Sequence, residues 1–159
     1  MPYLIDGNNL IGHIPDLSLG DRESRSLLVS RLRRFQKVKN TRLILVFDGP
    51  AQAGLDSDHD SGSQFSIIHP EPGTSADSRI EETIERQTDL RRFFVVSSDR
   101  EVRNFARKHG AKSITCAEFH RELKAALREH RQGAELEKND ETPSALEVRQ
   151  WGEVFDTKK

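Results

Sequence analysis

Short apolar runs alternate with helical patterns along most of this chain, and that alternation limits the folds open to it. Residues 3–5, 43–47, 65–68, 93–97 and 113–115 read as five strands. The run Leu43-Ile44-Leu45-Val46-Phe47 is continuously β-branched, aliphatic or aromatic, the pattern of a strand covered on both faces. Between the strands, Leu28, Leu32 and Phe35 recur at helical spacing, with Asp21 placed as an N-cap for a helix over 21–39. Thr74 or Ser75 caps a helix carrying Ile80 and Ile84. Val102, Phe105 and Ala106 mark the next helix, which Gly110 ends. Phe119, Leu123 and Leu127 mark one running to about residue 130. Such alternation predicts an α/β fold with a parallel sheet between helical layers.

The remaining stretches are polar. Residues 49–64 are rich in Gly, Ser, Asp and Gln and read as a long loop. Residues 132–142 read as a polar linker, after which Thr142-Pro143 carries the cap-and-proline signature of a short tail element with Leu146, Trp151, Val154 and Phe155. The expected organisation is one domain over 1–131 followed by a linker and tail over 132–159.

Composition narrows the function classes. No stretch approaches the roughly 20 apolar residues of a membrane span. The chain opens directly on Pro2-Tyr3-Leu4-Ile5-Asp6, without a secretory leader pattern, so a cytoplasmic protein with no membrane partner is expected. Cys116 is the single cysteine, which excludes an internal disulfide and a thiolate-rich zinc site. The net charge of −1 conceals a basic stretch, with eight Lys or Arg against Glu23 alone between Arg22 and Arg42.

Four aspartates hold the candidate chemistry. Asp6, Asp48 and Asp99 follow apolar runs, and in open α/β sheets ligands bind beyond the strands' carboxyl ends. Asp77 joins them from a helix start, with Glu81 one turn on along the same face. Gathered carboxylates repel one another and call for a compensating cation. An all-oxygen ligand set selects Mg²⁺ or Mn²⁺ over zinc and points to phosphate chemistry. Asp6 is then the central ligand, Asp48, Asp77 and Asp99 direct or water-mediated ones, and Glu81 an outer one.

Within Asp6-Gly7-Asn8-Asn9, the glycine lets backbone approach a ligand, and Asn8 or Asn9 orients a carboxylate or phosphate. Ser98, just before Asp99, is a further supporting candidate. Each acid also has a structural reading: Asp6-Gly7 and Asp48-Gly49-Pro50 as turns, Asp77 as a dipole complement, Asp99 as an N-cap. Arg31 and Arg34 in the basic helix, with Arg100 and Arg103 after Asp99, form a candidate track for an RNA backbone. A solvated helix face is the alternative for those arginines.

Taken together, Tyr3-Leu4-Ile5-Asp6-Gly7-Asn8-Asn9, Leu45-Val46-Phe47-Asp48, Thr74-Ser75-Ala76-Asp77 with Ile80-Glu81, and Val95-Val96-Ser97-Ser98-Asp99 resemble the YacP-like NYN domain of the PIN-like nuclease superfamily. The resemblance covers roughly residues 1–130. It implies a three-layer α/β/α PIN-like fold with a central, mostly parallel five-stranded sheet. It also implies a divalent-metal endoribonuclease site on Asp6, Asp48, Asp77 and Asp99, acting on RNA, with the ribosome as a partner. Asn8 stands where the family commonly has an aromatic residue, and Asn9 takes the family's asparagine position. The loop after Asp48 is acidic rather than basic. Two rivals remain: an RNA-binding module without catalysis, and a phosphatase, the latter weakened by Asn8 where an Asp-x-Asp pair needs its second acid.

Overall fold

The computed structural model describes residues 1–49 and 64–146, with 134–146 described by backbone alone. The expected loop at 49–64 and the tail element beyond 146 lie almost wholly outside the described residues. Five strands form one sheet: β1 (Tyr3–Asp6), β2 (Leu43–Val46), β3 (Phe65–Ile68), β4 (Phe94–Val96) and β5 (Lys112–Ile114). Their order is β3-β2-β1-β4-β5 and every pairing is parallel. Among the described residues five helices accompany them, two between β1 and β2 and one after each of β3, β4 and β5: α1 (Gly7–Ile11), α2 (Arg22–Lys39), α3 (Ala76–Glu85), α4 (Arg100–Lys108) and α5 (Cys116–Leu146).

Side-chain alternation along the strands divides the core into two halves. Leu4, Ile44, Val46 and Val95 point to one face, where they pack with Ile80 and Ile84 of α3 and Val102 and Ala106 of α4. On the other face Tyr3 meets Phe35 of α2 and Phe119 of α5, with ring centroids 5.5 and 5.6 Å away. The result is a three-layer α/β/α arrangement. Its strand order places the functional rim: from β1 the chain adds β2 and β3 on one side, then returns to add β4 and β5 on the other. Strand order therefore reverses between β1 and β4, which opens a crevice at their carboxyl ends.

Two local features differ from expectation. Residues 7–11 form a short helix, where the sequence suggested an Asp-Gly turn. Helix α5 runs unbroken from Cys116 to Leu146, so residues 132–142 are helical and not a linker. That stretch is polar, but its alanine, glutamate, lysine and leucine are strong helix formers. Thr115 and Glu118 start this helix with a reciprocal capping box: the Thr115 Oγ1 accepts from the Glu118 amide at 3.1 Å, and the Glu118 carboxylate accepts from the Thr115 amide at 2.9 Å. The described chain falls into two units that divide at Lys124/Ala125. No helix among the described residues is long and apolar enough to cross a membrane.

Candidate functional site

Asp6 closes β1 and caps α1, so the strand hands its last side chain to the crevice. It is buried, at 6% exposure, yet carries a carboxylate. Its Oδ1 accepts from the Asn9 amide at 3.5 Å and its Oδ2 from the Ser97 hydroxyl at 3.2 Å. Burial, reinforced by the charges of Asp77 and Asp99, pushes its pKa up to about 6 against those two hydrogen bonds.

Gly7 is required for a different reason from the one its sequence suggested. A Cβ there would stand 2.8 Å from the Phe47 ring and 3.0 Å from the Val46 carbonyl oxygen. Close packing of α1 on the end of β2 leaves no room for a side chain. Asp48 follows β2. Its amide donates to Asn8 Oδ1 at 2.9 Å, and its carbonyl accepts from Arg25 at 2.5 Å. Arg25 also lies over the Phe47 ring, 4.9 Å from the centroid.

Asp77 occupies the first turn of α3, whose N-cap Ser75 accepts from the Ser78 amide at 3.2 Å. Its pKa is raised by burial and by Asp99, Glu81, Asp48 and Glu101. Asp99 caps α4, its Oδ1 accepting from the Glu101 amide at 2.8 Å. Asp99 is thus both the cap expected of it and a member of the site. Asp6, Asp48, Asp77 and Asp99 line one open cleft of about 280 Å³, together with Asn8 and Asn9.

The supporting residues sort differently from expectation. Ser97, not Ser98, joins the carboxylates: its buried hydroxyl donates to Asp6 and accepts from the Asp99 amide at 3.1 Å. Ser98 lies outside the cleft lining and accepts from the Cys116 amide at 3.2 Å. Both asparagines have a role. Asn8 holds the Asp48 backbone, whereas Asn9 Oδ1 accepts from the Ser98 amide at 2.7 Å and from Cys116 Sγ at 3.0 Å. Cys116 is buried and its thiol is raised to about 11, mainly by that burial, as fits a core residue. Glu81 does not line the cleft and reaches Asp77 through its charge.

The four arginines of the candidate track are engaged differently. Arg31 forms an ion pair with Asp16, one of its nitrogens lying 3.1 Å from a carboxylate oxygen. Arg34 sits nine residues past Arg25 on α2, about 14 Å further along the axis and towards the opposite end of the strands. Arg103 donates to Ser113 Oγ at 3.2 Å. Arg100 alone of the four is exposed in a first helical turn beside an aspartate of the site. Arg25, which no spacing in the sequence singles out, stands at the rim because α2 starts there.

The donor set suits a hard divalent cation. All four groups are carboxylates, and a cation would offset the repulsion that raises Asp6 and Asp77. Among the described residues no three such groups form a ready-made cage, so the acids share a cleft without closing on a common point.

Comparison with known proteins places the family and the fold. A family model described as YacP-like NYN domain matches residues 3–154. Uncharacterized protein YacP of Bacillus subtilis (strain 168) is 30% identical over 82 residues, covering 49% of this chain and 48% of that protein. The matched stretch thus spans about half the length of that relative. The crystal structure of Rae1 (YacP) from Bacillus subtilis superimposes with a TM-score of 0.67 at 23% identity, covering 97% of each chain. A mutant of the same protein gives 0.68 at 24% identity over 83% of this chain and 79% of that one. At these identities the structures show a shared fold.

Proposed function

Because the chain belongs to the YacP-like NYN domain family, we propose that it is a divalent-metal-dependent endoribonuclease hydrolysing RNA phosphodiester bonds. The observation that carries this reading is the convergence of four carboxylates, from β1, the end of β2, α3 and the start of α4, on one cleft at the strand-order reversal. A structural explanation for each acid alone leaves unexplained why a buried Asp6 is kept beside Asp77 and Asp99 with their charges opposing its ionisation.

Mg²⁺ or Mn²⁺ held by Asp6 with Asp48, Asp77 and Asp99 would supply Lewis-acid polarisation of the phosphoryl group. The chain's own residues set that site up. Ser97 fixes the Asp6 carboxylate and the Asp99 backbone through one hydroxyl. Asn8 holds the backbone of Asp48, and Asn9 ties α1 to the segment after β4. Asp99 uses Oδ1 to cap α4, and a carboxylate retains acceptor capacity beyond that bond. Arg100 offers a cation next to the cleft for an RNA phosphate.

The test is cleavage of a mixed RNA pool in Mg²⁺ or Mn²⁺, with Mn²⁺ binding followed by electron paramagnetic resonance. Asp6→Asn and Asp77→Asn are expected to weaken Mn²⁺ binding and to lower cleavage by more than the roughly 10–100-fold typical of an outer-shell partner. Unchanged cleavage in both variants would refute the assigned site. RNA binding without cleavage under any divalent ion would favour the non-catalytic RNA-binding module.

A further inference from the structure

Leu19 is 60% exposed, and it lines the same cleft as the four aspartates. It lies in the segment between α1 and α2, and its neighbours are anchored. Leu17 is buried and its amide donates to the Ile14 carbonyl at 3.0 Å. The Ser18 amide donates at 2.9 Å to the hydroxyl of Ser24, itself buried in α2. The Asp21 amide returns to the Ser18 carbonyl at 3.2 Å, and Asp21 then caps α2. Leu19 is therefore held outward between fixed points. A Cβ built on the adjacent Gly20 would meet no atom within 4 Å, so the space beside it is open.

An aliphatic side chain presented to water beside carboxylates gains nothing from either. It gains from a flat apolar surface that covers it, and an RNA bound with a phosphate at the acids brings such a surface in the base of a flanking nucleotide. We propose that Leu19 is a positioning and specificity residue that packs against the face of one unpaired nucleobase next to the scissile phosphate. This rests on the endoribonuclease reading and deepens it by naming a residue that positions the substrate in the cleft. A base inside a duplex is stacked on both faces and has none to offer. Every base has an apolar face, so the contact discriminates strandedness before sequence.

The experiment uses a single-stranded RNA oligonucleotide with a mapped cleavage site, and a set in which each nucleotide flanking that site is replaced in turn by an abasic ribose. Leu19→Ala is expected to raise KM roughly tenfold with kcat nearly unchanged, the scale of losing one leucine–base contact. One abasic position should raise the wild-type KM by a similar factor and leave Leu19→Ala no worse. Leu19→Met should retain the wild-type KM, and the Leu19→Ala effect should persist at raised salt, where phosphate contacts weaken. Annealing a complementary strand across the site should suppress cleavage. An unchanged KM in Leu19→Ala, or losses that add fully at every abasic position, would overturn the inference while leaving the nuclease reading intact. Absence of cleavage of every RNA by the wild-type protein in Mg²⁺ or Mn²⁺ would overturn both.

Discussion

Replacing Asp6 by asparagine should abolish cleavage and at the same time stabilise the ion-free protein, in a pH-dependent way. Burial and the charges of Asp77 and Asp99 raise Asp6 from its ordinary 3.8 to about 6. At about 1.4 kcal/mol per pH unit, that rise corresponds to roughly 3 kcal/mol of native-state destabilisation once the group is ionised. The folded pKa lies above the unfolded one, so the native state holds the proton more tightly. The penalty is therefore absent below about pH 4, grows as pH rises towards 6, and is complete above it. Asparagine keeps the shape; with its side-chain oxygen on the Asn9 amide it keeps the N-cap, and its amide nitrogen can then donate to the Ser97 hydroxyl oxygen. Urea unfolding in the presence of a chelator should therefore show Asp6→Asn about 2–3 kcal/mol more stable than wild type at pH 8, and nearly equal to it at pH 4. Adding Mg²⁺ at pH 8 should stabilise the wild type and leave the variant unmoved. An equal gain at both pH values would refute the reasoning, because the effect would then owe nothing to ionisation. No gain at pH 8 would show that the cleft does not strain the carboxylate.

Ser97→Ala removes a donor to Asp6 and an acceptor for the Asp99 amide, so urea unfolding should show a loss of about 1–3 kcal/mol. Because the Ser97 hydrogen bond lowers the Asp6 pKa, its removal should also move the acid limb of the cleavage–pH profile upward; a limb shifted by Ser98→Ala instead would reverse the assignment. Gly7→Ala places a Cβ 2.8 Å from the Phe47 ring, which predicts about 1–3 kcal/mol of destabilisation by overpacking. Combining it with Phe47→Leu should recover part of that loss, and full additivity of the two would contradict the packing explanation.

How much was legible follows the range of each interaction. Helix α2 could be read directly, because Asp21 as a cap and the stripe of Leu28, Leu32 and Phe35 are local features. The strands were visible for the same reason, being short, apolar and bounded by polar turns. Helix α1 was not, since its five residues are too few to display a period. The second half of α5 is polar enough to resemble a linker, although its composition favours helix. The four aspartates were found because each follows or opens a recognisable element.

The sequence by itself determined the alternating α/β architecture, the family resemblance and the four acids of the rim. Those properties rest on spacing within single elements and on residue type. Only the tertiary structure decided which serine joins Asp6 to Asp99, since the Asp6–Ser97 contact spans 91 positions and depends on the β1–β4 register. It likewise packed Gly7 against Phe47, tied Arg31 to Asp16, set Arg25 on the Asp48 carbonyl and brought Leu19 to the cleft. The physical reason is the same in each case: burial, pairing and exposure are set by neighbours that the fold supplies from distant parts of the chain.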